Sequence, residues 1–227
     1  DATAADAAAL REKLGLNQSI IVQYLSFMLN AAQGDLGTSI FFNQPVTQVL
    51  ADRAEPTAFL ALFSLIFAVV IATPIGLYAA YRRGSFLDQT SITLAMLAAS
   101  LPSFWTGLLM QRYFATDLGW FPASGYGGPD AGFLERMQHL LLPSLVLGIV
   151  NSALILRFTR ASMLDVLGQD YIRTARAKGL SERTVVMRHA FRNALIPLAT
   201  LVAFDIGGLI GGAIITETVF AFTGMGQ

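Results

Sequence analysis

An all-α protein that crosses a membrane several times is predicted by three features of this sequence. Hydrophobic residues make up 54% of its 227 residues and charged ones only 13%, a mixture too apolar for an ordinary soluble domain. Four long stretches are nearly free of charge, and the basic residues gather in short segments between them. A buried helix of a large soluble protein can also be apolar all round. Four in a chain of this size would leave too few amphipathic helices to enclose them.

The first stretch, Pro56 to Tyr81, holds no formal charge and is mostly Leu, Ala, Phe, Val and Ile. At about 1.5 Å per residue it outreaches a hydrocarbon core of about 30 Å. The second, Gln89 to Gln111, contains ITLAMLAASLPSFWTGLLM, with Pro102 where a kink is expected and Trp105 and Tyr113 toward one interface. Met137 to Leu156 forms the third and Asn193 to Thr216 the fourth, the last interrupted only by Asp205.

Lys and Arg accumulate in short cytoplasmic loops, and this orients the spans. Arg82 and Arg83 follow the first, and the segment 157–192 after the third carries Arg157, Arg160, Arg173, Arg176, Lys178, Arg183, Arg188 and Arg192. Both should be cytoplasmic. The Gly/Pro-rich loop DLGWFPASGYGGPDAGFLER between the second and third spans then lies outside, with Trp120, Phe121 and Tyr126 at the interface. Residues 1–55 also lie outside, as short surface helices. One sets Ile20, Ile21, Tyr24, Leu25 and Met28 on one face behind a Ser19 cap, and another follows Pro45 with Val46, Val49 and Leu50. No signal peptide precedes this external region, so a membrane helix ahead of Asp1 is expected. The domains are thus 1–55 and the membrane domain 56–227.

Fifteen Lys plus Arg balance fifteen Asp plus Glu, so charge argues for neither nucleic acid nor disorder. Zero cysteines exclude disulfides, thiol catalysis and cysteine-held metals, and two histidines leave metal chemistry poorly supplied. His139 and His189 belong to opposite faces, which leaves an intramembrane serine hydrolase as the lesser alternative to a transport role. Ser100 and Ser103 beside Pro102 suit carbonyls freed by the kink. No catalytic set and no metal site are predicted.

The cytoplasmic segment reads as two helices around a tight turn. Asp170 caps a helix through Arg176, Gly179 supplies a left-handed stop, and Ser181 caps the helix leading into the fourth span. Such a projection transmits force from a soluble partner to the span behind it. Its arginines equally satisfy the positive-inside bias or contact anionic headgroups. A basic helix-turn-helix for nucleic acid is disfavoured by its tether to two spans.

The string DYIRTARAKGLSERTVVMRHAFRNALIP resembles the coupling loop of inner-membrane permease subunits of ABC importers, in the dipeptide, oligopeptide, glutathione and nickel branch. LREKLGLNQSIIVQYL, GDLGTSI, PIGLYAAYRRGSFLDQ, SLPSFWTGLL, LGWFPASGYGG, RFTRASMLDVLGQDY and IGGLIGGAIITETVF resemble the same branch in the same order. The resemblance implies the type I ABC importer permease fold, with the second to fifth of six helices present. It implies a second permease subunit, usually a different chain, two cytoplasmic ATPases and a periplasmic or lipid-anchored binding protein. ATP and Mg would be held by the ATPases and no cofactor by this chain, in keeping with the absence of a GxxxxGK[ST] loop. Arg173, Thr174, Ala175, Arg176, Ala177, Lys178, Gly179, Leu180 and Ser181 match the ATPase-coupling segment, whose short helix would cover 174–181. Where the wider superfamily places Glu-Ala-Ala, this chain has Arg173, Thr174 and Ala175, as in the peptide branch. Where the family usually has Phe-x-x-Pro-Gly, it has Phe220 to Gly224 with Thr223 in place of proline.

Within the membrane, Asp205 falls about 18 Å in from Asn193 at about 1.5 Å per residue. An acid there is costly and usually faces a bundle interior or a watery cavity, so it is a candidate pathway residue, with a structural hydrogen bond as the alternative. Gly207 with Gly211, and Gly208 with Gly212, form two small-xxx-small registers for close helix approach, to the second permease or within this chain. Glu217 is expected to be solvated at the outer face. The predicted function is that of a permease subunit working by alternating access. A passive channel or membrane scaffold is the alternative, sharing the spans without needing the projecting loop.

Overall fold

The computed structural model describes residues 17–128 and 130–226. Residues 10–16 of the first resembling stretch lie outside them. Contacts divide the chain into two units meeting between Ala54 and Glu55.

In the first unit, α1 (Ile20–Ala32) starts after Ser19, whose backbone is extended but whose side chain makes no capping bond. None of its residues is buried. Beyond it, the Asp35 carboxylate accepts the Gly37 amide at 2.8 Å, and Thr38 pairs with Pro45 in an isolated bridge. The separate helix expected after Pro45 does not occur. It is continuous with the first span in α2 (Val46–Tyr81), which carries Pro56 and Pro74 internally. Each proline deletes one donor from the ladder, and the many remaining bonds keep one helix.

The second unit continues with α3 (Phe86–Ser100), α4 (Ser103–Met110) with a π-helical extension Gln111–Asp117, and α5 (Phe133–Leu167). Next come α6 (Asp170–Ala177), α7 (Glu182–Thr184), a π-helical stretch Val185–Phe191, and α8 (Arg192–Val219). Among the described residues, three helices are long and apolar enough to span alone, and α3 with α4 makes a fourth when taken as one span bent by 99°. The second span is therefore broken and not merely kinked. Leu101, before Pro102, is forced to extended dihedrals (φ −83, ψ 133), as the proline ring demands of its predecessor. Ser100 Oγ donates to the Met96 carbonyl at 2.8 Å, and Ser103 opens α4.

The third span is longer than its apolar run. At about 1.5 Å per residue, α5 extends about 52 Å and carries Arg157 and Arg160 on the same helix as the span. The projecting loop thus begins only after Leu167. Glycines bring α2 and α5 close together. A Cβ on Gly76 would lie 2.7 Å from the Leu156 carbonyl, and one on Gly148 would lie 2.9 Å from the Phe67 ring.

The core forms three clusters. One joins Leu60, Leu140, Leu142, Val146, Leu209, Phe220 and Phe222. A middle one joins Ala68, Ala72, Ala95, Ala153, Ile155, Leu156 and Leu198. The third joins Ala80, Met163, Ile172, Ala175, Val185, Val186, Ala190 and Ala194. The last sits beside Arg82, Arg83 and the 168–192 segment, so both basic segments meet at one end of the bundle.

Candidate functional site

At this basic end the chain leaves α5 and passes through Gln169 in extended conformation. Gln169, not Asp170, occupies the cap position, and its side chain makes no capping bond. Asp170 is the first helical residue, where its carboxylate faces the positive end of the helix dipole, and Arg176 lies at the negative end. Ile172 and Ala175, three apart, are buried in the basic-end cluster. Arg173, Thr174 and Ala177 are exposed on the other side. Ala175 is therefore spent on anchoring the helix and is closed to an external partner.

The helix ends at Ala177, so Lys178 to Ser181 form a turn and not the second half of the expected helix. Gly179 takes φ +78, a left-handed conformation that costs other residues about 1–2 kcal/mol. Ser181 Oγ then accepts the Thr184 amide and caps α7. Across the turn Arg176 grips Glu182 with two bonds, Nε to Oε2 at 3.2 Å and a terminal nitrogen to Oε1 at 2.8 Å. Asn193 Nδ2 donates to the Tyr171 hydroxyl at 2.8 Å, tying α6 to the start of α8. Sequence reading found neither pair, because each depends on the turn that brings its members together. The outcome is a helix with one face packed into the basic-end cluster and the other free, bordered by Arg173, Lys178, Leu180 and Arg183.

Deeper in α8, Asp205 is partly buried, and its Oδ2 has no hydrogen-bond partner among the described residues. The two glycine registers differ. Among the described residues, Cβ atoms at Gly207 and Gly211 would meet nothing within 4 Å, whereas one at Gly212 would come within 3.2 Å of Leu147 Cδ1, and one at Gly208 within 3.8 Å of Asp205 Oδ1. Gly212 serves packing against α5, and Gly207 with Gly211 presents an uncovered strip.

At the far end Glu217 is fully buried, contrary to the solvated position expected from its place near the end of the span. Thr57 Oγ1 donates to Glu217 Oε1 at 2.5 Å, the Gly226 amide donates to Oε2 at 2.9 Å, and the Met225 amide donates to Thr57 Oγ1 at 2.9 Å. A Cβ at Gly224 would overlap the same carboxylate. Phe220 and Phe222 are buried, and Ala221 adopts φ +49. The turn after the fourth span is thus held by a carboxylate and two aromatic rings where the family pattern has proline. The loop from the second span reaches this knot through the Gly125 amide, which donates to the Phe220 carbonyl at 2.9 Å. Beside it His139 Nδ1 lies 3.1 Å from the Ser124 and Gly125 carbonyls, while His189 is in the π-helical stretch at the basic end. Among the described residues no group of His, Cys, Asp and Glu suits a metal.

Long apolar helices, one broken, around a basic loop with a free helical face define a polytopic membrane protein. Residues 72–227 match the family model described as binding-protein-dependent transport system inner membrane component. The chain is 42% identical over 220 residues to the glutathione transport system permease protein GsiC of Salmonella choleraesuis, covering 97% of this chain and 69% of that one. It is 40% identical over 240 residues to the dipeptide transport system permease protein DppB of Alkalihalophilus pseudofirmus, covering 97% and 72%. GsiC of Escherichia coli O6:H1 is 42% identical over 218 residues, covering 96% and 69%. The chain belongs to the family of inner-membrane components of binding-protein-dependent transport systems. It is a permease subunit of an ABC importer, a transport component located in the inner membrane.

Proposed function

We propose that peptides or a related small solute, glutathione among them, cross through a pathway that this chain builds with a second, homologous but different permease subunit. Two cytoplasmic ATPases hold the loop, and a periplasmic or lipid-anchored binding protein delivers the solute from outside the cell membrane. ATP and Mg reside in the ATPases. Their closure swings the loops of the two permeases together and alternates access to the pathway.

The observation that carries this reading is the two-sided α6. Ile172 and Ala175 bind it to the bundle, and Arg173, Thr174 and Ala177 remain open to a groove of another protein. A passive channel has no use for such a handle. Purifying the importer from membranes that contain Gly179→Val tests it. A side chain at φ +78 distorts the turn, so the ATPases should be lost while the permease pair stays in the membrane. Full retention of ATPase would sink the coupling role.

Relatives named for glutathione and dipeptide transport suggest substrates with a charged amino terminus. Asp205, with Oδ2 unpartnered among the described residues, suits attraction of that cation in the pathway. Asp205→Asn should slow uptake of a cationic peptide about tenfold, equivalent to about 1.4 kcal/mol. Unchanged uptake leaves Asp205 a packing residue. The open Gly207 and Gly211 strip suits a helix of the second permease.

A further inference from the structure

The strongest polar tie at the basic end lies outside the loop. Asp88 on α3 is almost fully buried, and Arg160 on α5 grips it side-on, with Nε to Oδ1 at 2.6 Å and a terminal nitrogen to Oδ2 at 2.9 Å. The Gly84 amide also donates to Oδ2 at 2.9 Å, and Ser85 caps the helix by accepting the Asp88 amide at 3.2 Å. A planar guanidinium bonded twice to one carboxylate fixes orientation as well as distance.

Besides the pair, α3 lies along α5 in one of the largest helix contacts of the fold. Its buried residues are Asp88 and Ala95, one polar and one small. At the opposite end it breaks at Leu101 and Pro102, and α4 beyond the break packs on another stretch of α5 and on the end of α8, with Gly107 against Val146, Val219 and Phe220. The helix is thus a short rod with a hinge at one end and a charged clamp at the other. The clamp's arginine sits on the rigid extension of α5, where Met163, three residues on, shares a cluster with Ile172 and Ala175 of α6.

We infer that Asp88 and Arg160 are positioning residues for transport. They oblige the inner half of the broken second span to follow α5 when α6 is displaced, so that the movement opens or closes the pathway at Pro102. The inference rests on the coupling role proposed for α6. Its own content is that α3 and α5 move as one body.

The test uses the complete importer in proteoliposomes, with its binding protein and ATPases. The chain has no cysteine, so spin labels attach only where cysteines are placed. Leu94 on α3 and Leu154 on α5, both exposed, are suitable sites. Their separation should stay constant between the nucleotide-free and vanadate-trapped states, and it should broaden in Asp88→Asn. In that variant and in Arg160→Lys, ATP turnover stimulated by the binding protein should stay within about threefold of the parent while solute uptake falls at least tenfold. A purely structural role would lower both together. A Leu94–Leu154 separation that changes during the parent's own cycle overturns the inference, as does uptake falling in proportion to ATP turnover or not at all. If neither variant assembles, the parent's distances alone decide. Failure of the coupling reading would appear separately, as ATPase retained by Gly179→Val.

Discussion

The two ends of the membrane bundle are built on opposite plans. At the far end a buried carboxylate, Glu217, gathers Thr57 and the Gly226 amide, and Gly224 lies so close that any side chain there would collide with it. At the basic end the ion pair of Arg176 with Glu182 is about two-fifths exposed, and α6 is held by Ile172 and Ala175 in the apolar cluster and by one hydrogen bond from Asn193. A buried and fully bonded carboxylate admits one arrangement, because any displacement leaves it unsatisfied in a low dielectric. An exposed ion pair is screened by solvent and loses little when it shifts. The far end is made to hold its shape and the basic end to be pushed.

The contrast is broken most directly at Glu217. Glu217→Ala strips Thr57 Oγ1 and the Gly226 amide of their acceptor and leaves a cavity, at a cost of about 3 kcal/mol. Thermal denaturation of the purified importer should show it as a clear drop in midpoint. A change within error would mean that the knot does not bear on stability. Ile172→Ala should cost about 2–3 kcal/mol locally, since the side chain is fully buried. Its effect should be on the loop, read as faster amide exchange across 170–181 and weaker ATPase retention, with the far end unchanged. Equal loss at both ends would refute the separation of the two regions.

A smaller effect is expected at Tyr126, whose hydroxyl donates to Glu55 at 3.3 Å while Arg136 bonds the same carboxylate at 2.8 Å. Burial, and then the Glu55 charge, push the Tyr126 phenol above its ordinary value of 10.0. A raised phenol pKa stabilises the protein below the ordinary value, and that contribution is lost as pH rises through the folded-state value. The far end should therefore loosen only in alkali, and Tyr126→Phe should remove that step from the pH dependence of its amide exchange. The weakest effect is Arg176→Ala. Solvent screening limits this exposed pair to below about 1 kcal/mol, so the midpoint should barely move while exchange at Gly179 quickens.

Several features were legible because their signals are local. Apolar runs marked the spans, Gly179 and Ser181 marked the turn and the cap, and clustered arginines marked the loop. Local signals misled where two neighbours competed for one role. Asp170 is a good cap residue, yet Gln169 takes the position. Pro102 announced a bend, but its size of 99° depends on where α4 finds packing beyond it.

The sequence by itself determined that this chain inhabits a membrane, which runs are apolar and long enough to cross it and which segment gathers the arginines, since hydrophobic length and charge placement act residue by residue on transfer between water and lipid. Only the tertiary structure decided that Glu217 is buried on Thr57, 160 positions away, and that Asp88 meets Arg160, 72 positions away. A carboxylate near a helix end is indifferent between solvent and a buried donor until packing brings one to it. That choice belongs to the assembled helices.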